Sequence, residues 1–110
     1  MKQGKIILIP FPFAELTNIK LRPAVLISTT QDKYQDLILC AVSSVIPDNL
    51  SGFEIILKPT SLNLLKIQSI IKVDRIFTLK KEDMIAELGE LSQEESQAFK
   101  SKLKKLIEQT

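Results

Sequence analysis

The sequence predicts a β-rich α+β fold: a small antiparallel sheet or barrel, then a short helix and a longer C-terminal helix. Three observations carry this. Short apolar runs bounded by Pro, Gly, Asn and Ser recur through residues 1–80, with no helical period between them. After Lys80 the apolar period changes to that of a helix. A chain of 110 residues that is 45% hydrophobic and 25% charged has the apolar content for one core, and reads as a single domain over 1–110.

The elements follow in order. Lys5–Pro10 is Ile- and Leu-rich on both faces, as in a strand buried on two sides. Phe11-Pro12-Phe13 ends it, because Pro cannot donate to a central ladder. Residues 14–21 form a loop turning at Thr17-Asn18, and Pro23 opens a second strand, Ala24–Ser28. Leu37–Ser43 is a third strand, stopped by Ser43, Ser44 and the Pro47-Asp48-Asn49 turn. Phe53–Leu57 is a fourth, and Ser69–Phe77 a fifth. Simple alternation puts Ile70, Lys72, Asp74 and Ile76 on one face of the fifth and Ile71, Val73, Arg75 and Phe77 on the other. Lys81–Leu88 reads as a short helix with Met84, Ile85 and Leu88 on one face and Gly89 as its stop. Ser92 and Glu95 form a capping box, and Phe99, Leu103, Leu106 and Ile107 make one apolar stripe on the helix that follows. Lys100, Lys102, Lys104 and Lys105 read as the solvated remainder of that helix.

Composition narrows the chemistry. The chain has no His, which removes the commonest zinc ligand and the commonest general base together. Its one cysteine, Cys40, can form neither an internal disulfide nor a cysteine metal cluster. No metal or cofactor is expected. Lys2 and Lys5 precede an apolar run, but Pro10 and Pro12 interrupt it and no small-residue cleavage site follows, so it does not read as a secretion signal. No run is long enough for a membrane span, and a reduced cytoplasmic compartment is the expectation. The net charge of +2 divides unevenly. Residues 1–80 hold ten Lys or Arg against six Asp or Glu, and residues 81–110 five against seven. A basic front part is compatible with an anionic ligand, and equally with an ordinary surface imbalance.

Few groups remain that could do chemistry. Arg22, between Leu21 and Pro23, offers a planar fork of donors that matches phosphate, though an Arg at the start of a strand can simply be solvated or paired. Ser43 and Ser44 end a strand, where hydroxyls often cap turns, and without a His they cannot form a triad. Lys72 and Asp74 could be an ordinary ion pair on one face.

In combination these pieces are more specific. Gly4–Phe13 followed by Lys20-Leu21-Arg22-Pro23-Ala24-Val25-Leu26-Ile27-Ser28 resembles the opening of the MazF/PemK family of toxin ribonucleases. The resemblance continues at Ala41–Ser44, at Ser69–Leu79 and through Ile85–Ser92, and so spans nearly the whole chain. It implies an SH3-like barrel with added helices, working as a cytoplasmic homodimer. It also implies the toxin of a type II toxin–antitoxin pair, cleaving single-stranded RNA without metal, with a cognate antitoxin as partner and DNA binding in their complex. Arg22 matches the family's catalytic Arg and Ser43 its catalytic hydroxyl position, usually Thr. Asp74 matches an acidic residue used by some members, with Lys72 standing where those members have Arg. By the same resemblance Lys20, Ser44, Lys72 and Phe13 would contact the substrate.

The resemblance implies that the RNA 2′-hydroxyl attacks the adjacent phosphorus, leaving a 2′,3′-cyclic phosphate and a free 5′-hydroxyl. Arg22 and Ser43 would stabilise the charge that builds on the phosphoryl oxygens. A guanidinium stays protonated near neutrality, so its role reads as electrostatic. Asp74 is the one base the resemblance places. Two departures weaken the match: residues 14–21 lack Gly and His, and Lys72 lacks the fork geometry of Arg. The rival readings are a toxin of the same fold that inhibits a protein such as gyrase, and a non-catalytic binding module. The Arg22-Pro23 step with a downstream hydroxyl favours the ribonuclease.

Overall fold

A computed structural model describes residues 1–10 and 20–109 of the chain. The β-branched and Leu-rich runs form six strands: β1 Lys5–Pro10, β2 Leu21–Thr29, β3 Leu37–Ser43, β4 Glu54–Leu57, β5 Ser69–Leu79 and β6 Ala86–Glu90. They pair antiparallel in one sheet, in the order β4-β5-β3-β2-β1-β6. The sheet curls into a half-barrel, and α1, Gln93–Glu108, follows it. The β-rich class predicted from sequence is the one observed, and β1 and β3 have the expected bounds.

Alternation along the strands sends apolar side chains to two cores. Ile6, Val25, Cys40, Ile71 and Val73 pack on one face, sealed by Leu91, Phe99 and Leu103. Ile7, Ile9, Ala24, Leu26, Leu37 and Leu39 pack on the other. Helix α1 begins at the predicted capping box: Ser92 Oγ accepts from Glu95 N at 3.1 Å, and Glu95 Oε1 accepts from Ser92 N at 2.8 Å. Only the first half of its apolar stripe is used. Phe99 and Leu103 are buried, whereas Ile107 is 81% exposed, at an open groove that Ile27, Ile38 and Ile76 of the sheet also line. Two of its lysines act as staples to the segment before β4. Lys102 Nζ donates to the Gly52 carbonyl at 2.8 Å, and Lys105 Nζ stands 5.5 Å from the Phe53 ring centre.

Three local expectations change. Pro23 lies inside β2 rather than at its start, opposite Leu8 of β1. Pairing of β2 with β3 begins only at Ala24, so the missing N–H falls where β2 has one neighbour.

The helix expected over Lys81–Leu88 is a single 3-10 turn, Lys81–Asp83, followed by β6. Ile85 N donates to Leu8 O at 2.9 Å, and the ladder with β1 runs on to Lys5↔Glu90. Pairing along the open side of β1 outweighs a local period carried by three residues. Gly89, expected to stop a helix, is instead a point of close approach. A Cβ there would run into the Leu62 carbonyl oxygen and lie 2.7 Å from that of Asn63. The loop it touches is rigidly built around buried Asn63. Its Oδ1 accepts from Thr60 N and Leu65 N, each at 3.0 Å, and its Nδ2 donates to Lys58 O at 2.8 Å.

The third change is in β5. Cys40 and Ala41, consecutive on β3, pair with Ile76 and Lys72, four apart on β5. Val73, Asp74 and Arg75 therefore bulge out of the β3 ladder. Because Cys40 and Ala41 point to opposite faces, so do Ile76 and Lys72, and the alternation read from sequence breaks there.

Candidate functional site

The bulge sits beside the point where β2 and β3 part: their pairing stops at Ala24↔Ala41, while β2 extends back to Leu21 and β3 on to Ser43. Arg22 is placed there by its register with Ile9 of β1, one residue before Pro23. Ser43 is the last residue of β3 and pairs with Ile70. Lys72 stands in register with Ala41 on one side and Glu54 on the other. Arg22, Ser43, Lys72, Asp74 and Arg75 thus line one open groove of about 550 Å³. Among the described residues three cations face one carboxylate, a balance that favours an anion.

Burial and bonding distinguish these groups. Arg22, Ser43 and Lys72 are half-buried, and Asp74 and Arg75 are exposed. Ser43 Oγ accepts from Val45 N at 3.1 Å, the turn-capping bond its position suggested. One lone pair is thereby engaged, and the hydroxyl proton remains available to donate into the groove. Beneath the bulge, Cys40 Sγ donates to the Val73 carbonyl at 3.4 Å. Burial, with a smaller contribution from the Asp74 charge, pushes the Cys40 thiol up to about 12. It is therefore a packed thiol and not a nucleophile.

A second groove of about 570 Å³ adjoins the first, and Arg22 borders both. Lys20, Ser44 and Lys66 line it together with Leu64, Leu65 and Ile67. The residues singled out from sequence therefore divide: Arg22, Ser43, Lys72 and Asp74 meet in one groove, and Lys20 and Ser44 lie in its neighbour. Phe13, like the turn expected at Thr17-Asn18, lies outside the described residues. Arg75 was missed, since alternation assigned it to the opposite face from Lys72 and Asp74, and only the bulge brings all three to one groove. Among the described residues, no three Cys, Asp or Glu side chains gather to hold a metal ion, and no helix is long and apolar enough to cross a membrane.

The sequence model of a family described as PemK-like, MazF-like toxin of type II toxin–antitoxin system matches residues 2–107. No curated protein matches the sequence. Among solved structures, the chain is similar to an endoribonuclease from a mycobacterial species in complex with its cognate antitoxin. The TM-score is 0.72 at 14% identity, covering 98% of this chain and 95% of that one. It is also similar to MazF from Deinococcus radiodurans, with a TM-score of 0.69 at 20% identity, covering 97% of this chain and 96% of that one. At these identities the likeness is one of fold.

Proposed function

The chain belongs to the PemK-like, MazF-like toxins of type II toxin–antitoxin systems, and from that premise we propose that it is an endoribonuclease cleaving single-stranded RNA without a metal. The observation that carries this reading is the groove itself, which collects Arg22, Ser43, Lys72 and Asp74 from three different strands. In the reading, a phosphate of the RNA backbone sits against Arg22. The adjacent 2′-hydroxyl attacks phosphorus and gives its proton to Asp74. The bond to the 5′-oxygen breaks, and that oxygen takes a proton from water, leaving a 2′,3′-cyclic phosphate and a 5′-hydroxyl. Negative charge grows on the non-bridging oxygens as this happens. In the reading, the Arg22 guanidinium and the Ser43 hydroxyl proton stabilise it, and Lys72 adds a further positive charge.

Three further parts of the proposal concern partners and place. The solved relative bound to its cognate antitoxin supports an antitoxin partner here, and an acidic segment of it would suit the cationic groove. Exposed Val45, Leu64 and Ile67 beside the two grooves supply apolar surface for a second copy of the chain. The cytoplasm, where RNA and a reduced Cys40 coexist, is the proposed compartment.

The test is incubation of the purified protein with single-stranded RNA in EDTA, followed by analysis of the new ends. Cyclic phosphate ends are expected, and Arg22→Ala should slow their appearance by roughly 10²–10³-fold. RNA left intact across many sequences, at protein well above micromolar, would sink the proposal. Growth arrest that survives Arg22→Ala would point instead to a protein target.

A further inference from the structure

The β5 bulge supplies the groove with a cation that an ordinary strand would have turned away. In an unbroken strand Asp74 and Arg75 point to opposite faces. Here Val73 takes the inward position: it is fully buried, and its N–H donates to the Phe53 carbonyl at 2.9 Å. Asp74 and Arg75 are left outside the β3 ladder, both exposed and both lining the groove that holds Arg22.

Their bonding matters as much as their position. Several cations elsewhere on the molecule are committed: Lys2 pairs with Glu90 at 3.4 Å, Lys102 bonds the Gly52 carbonyl, and Lys105 covers Phe53. Among the described residues Arg75 makes no ion pair and no side-chain hydrogen bond, even with Asp74 next to it. A guanidinium keeps five donors in a fixed fork, whereas Lys72 on the same groove offers a point charge. Arg22 is half-buried and Arg75 exposed, and both line the groove, which thus presents two guanidiniums. A chain of phosphates is the ligand that uses two such forks in sequence, and single phosphates or neutral bases do not require them.

We propose that Arg75 is a substrate-binding residue, gripping the RNA phosphate next to the one held at Arg22. This rests on the endoribonuclease reading above. Arg75 then acts on the bound strand equally before and during reaction, so it contributes to affinity and not to the chemical step.

The experiment measures binding of a mixed-sequence 2′-O-methyl oligoribonucleotide, which cannot be cleaved by 2′-hydroxyl attack, across a range of salt concentrations. Arg75→Ala should weaken binding roughly 10-fold, the loss of one charge-assisted contact. It should also flatten the slope of log K against log salt by about 0.7, the release of one phosphate's counterions. Arg75→Lys should keep the native slope while recovering only part of the affinity. On cleavable RNA, Arg75→Ala should raise KM with kcat unchanged. Since Arg75 is exposed, thermal unfolding of both variants should match the native chain, separating these effects from misfolding. If the native protein binds and cleaves RNA while Arg75→Ala keeps its slope and affinity, this inference alone falls. If the native protein does not bind the oligonucleotide, the endoribonuclease reading falls with it.

Discussion

From Ser69 to Val73, β5 is a core strand, with four of its five residues buried; from Asp74 to Leu79 the same strand is exposed or half-buried and turns toward the groove. The bulge divides the two halves. On its first side, Ile71 and Val73 pack under Phe99 and Leu103 of α1. On its second side, Asp74, Arg75 and Ile76 face solvent. The first half is held by apolar burial, and its side chains are interchangeable in chemistry provided their volume is right. The second half presents charge, and there the chemistry of each side chain matters more than its volume. A single strand thus carries core and candidate groove in sequence.

The sharpest way to break this contrast is to make the same truncation on both sides of the bulge. Ile71→Ala, in the sealed core, should cost about 2–5 kcal/mol in urea unfolding. Ile76→Ala, at a position 46% exposed, should stay within about 0.5 kcal/mol. Equal costs would mean that the bulge does not separate core from surface.

A second prediction uses Cys40, which lies under the bulge. Its thiol is raised to about 12 in the folded chain and titrates near ~8.5 when unfolded. Between those values the folded state holds the proton more tightly, so stability is intact below the unfolded value and declines as pH rises toward the folded one. The native chain should therefore lose stability relative to Cys40→Ala through that window, by at most about 1.4 kcal/mol per pH unit. Unfolding curves of both proteins at successive pH values will show it, and parallel pH profiles would contradict it.

A more modest loss than that of Ile71→Ala belongs to the helix that seals the buried half. Ser92→Ala removes the hydroxyl that accepts from Glu95 N and should cost about 1 kcal/mol, measured as a lower denaturation midpoint.

How much of this was legible in the sequence differs between the two halves as well. Ser69 to Val73 could be read as buried strand, as could β1 and β3, because apolar content and breakers are local signals. The capping box at Ser92 and Glu95 was legible for the same reason. The bulge was not, since nothing in Val73-Asp74-Arg75 encodes how β3 aligns with them; register is a property of the pair. Strand β6 was hidden likewise, its identity set by pairing with β1 more than by Met84, Ile85 and Leu88. For the site, composition alone left Arg22, Ser43 and Asp74 as ordinary surface groups. The family resemblance grouped them, and the strand register places them on one groove. Arg75 was invisible to both, because alternation pointed it away.

The pairing of β1 with β6 also bears on synthesis. Ile6 lies in a core that Leu91, Phe99 and Leu103 must close, and Lys5 finds its ladder partner only at Glu90. A nascent chain emerging from the ribosome carries Arg22, Ser43 and Asp74 long before it can complete that core. Contacts joining such distant residues form late and slowly. The groove is therefore expected to take its shape only after residues 91–103 are made, and not while Arg22, Ser43 and Asp74 are emerging.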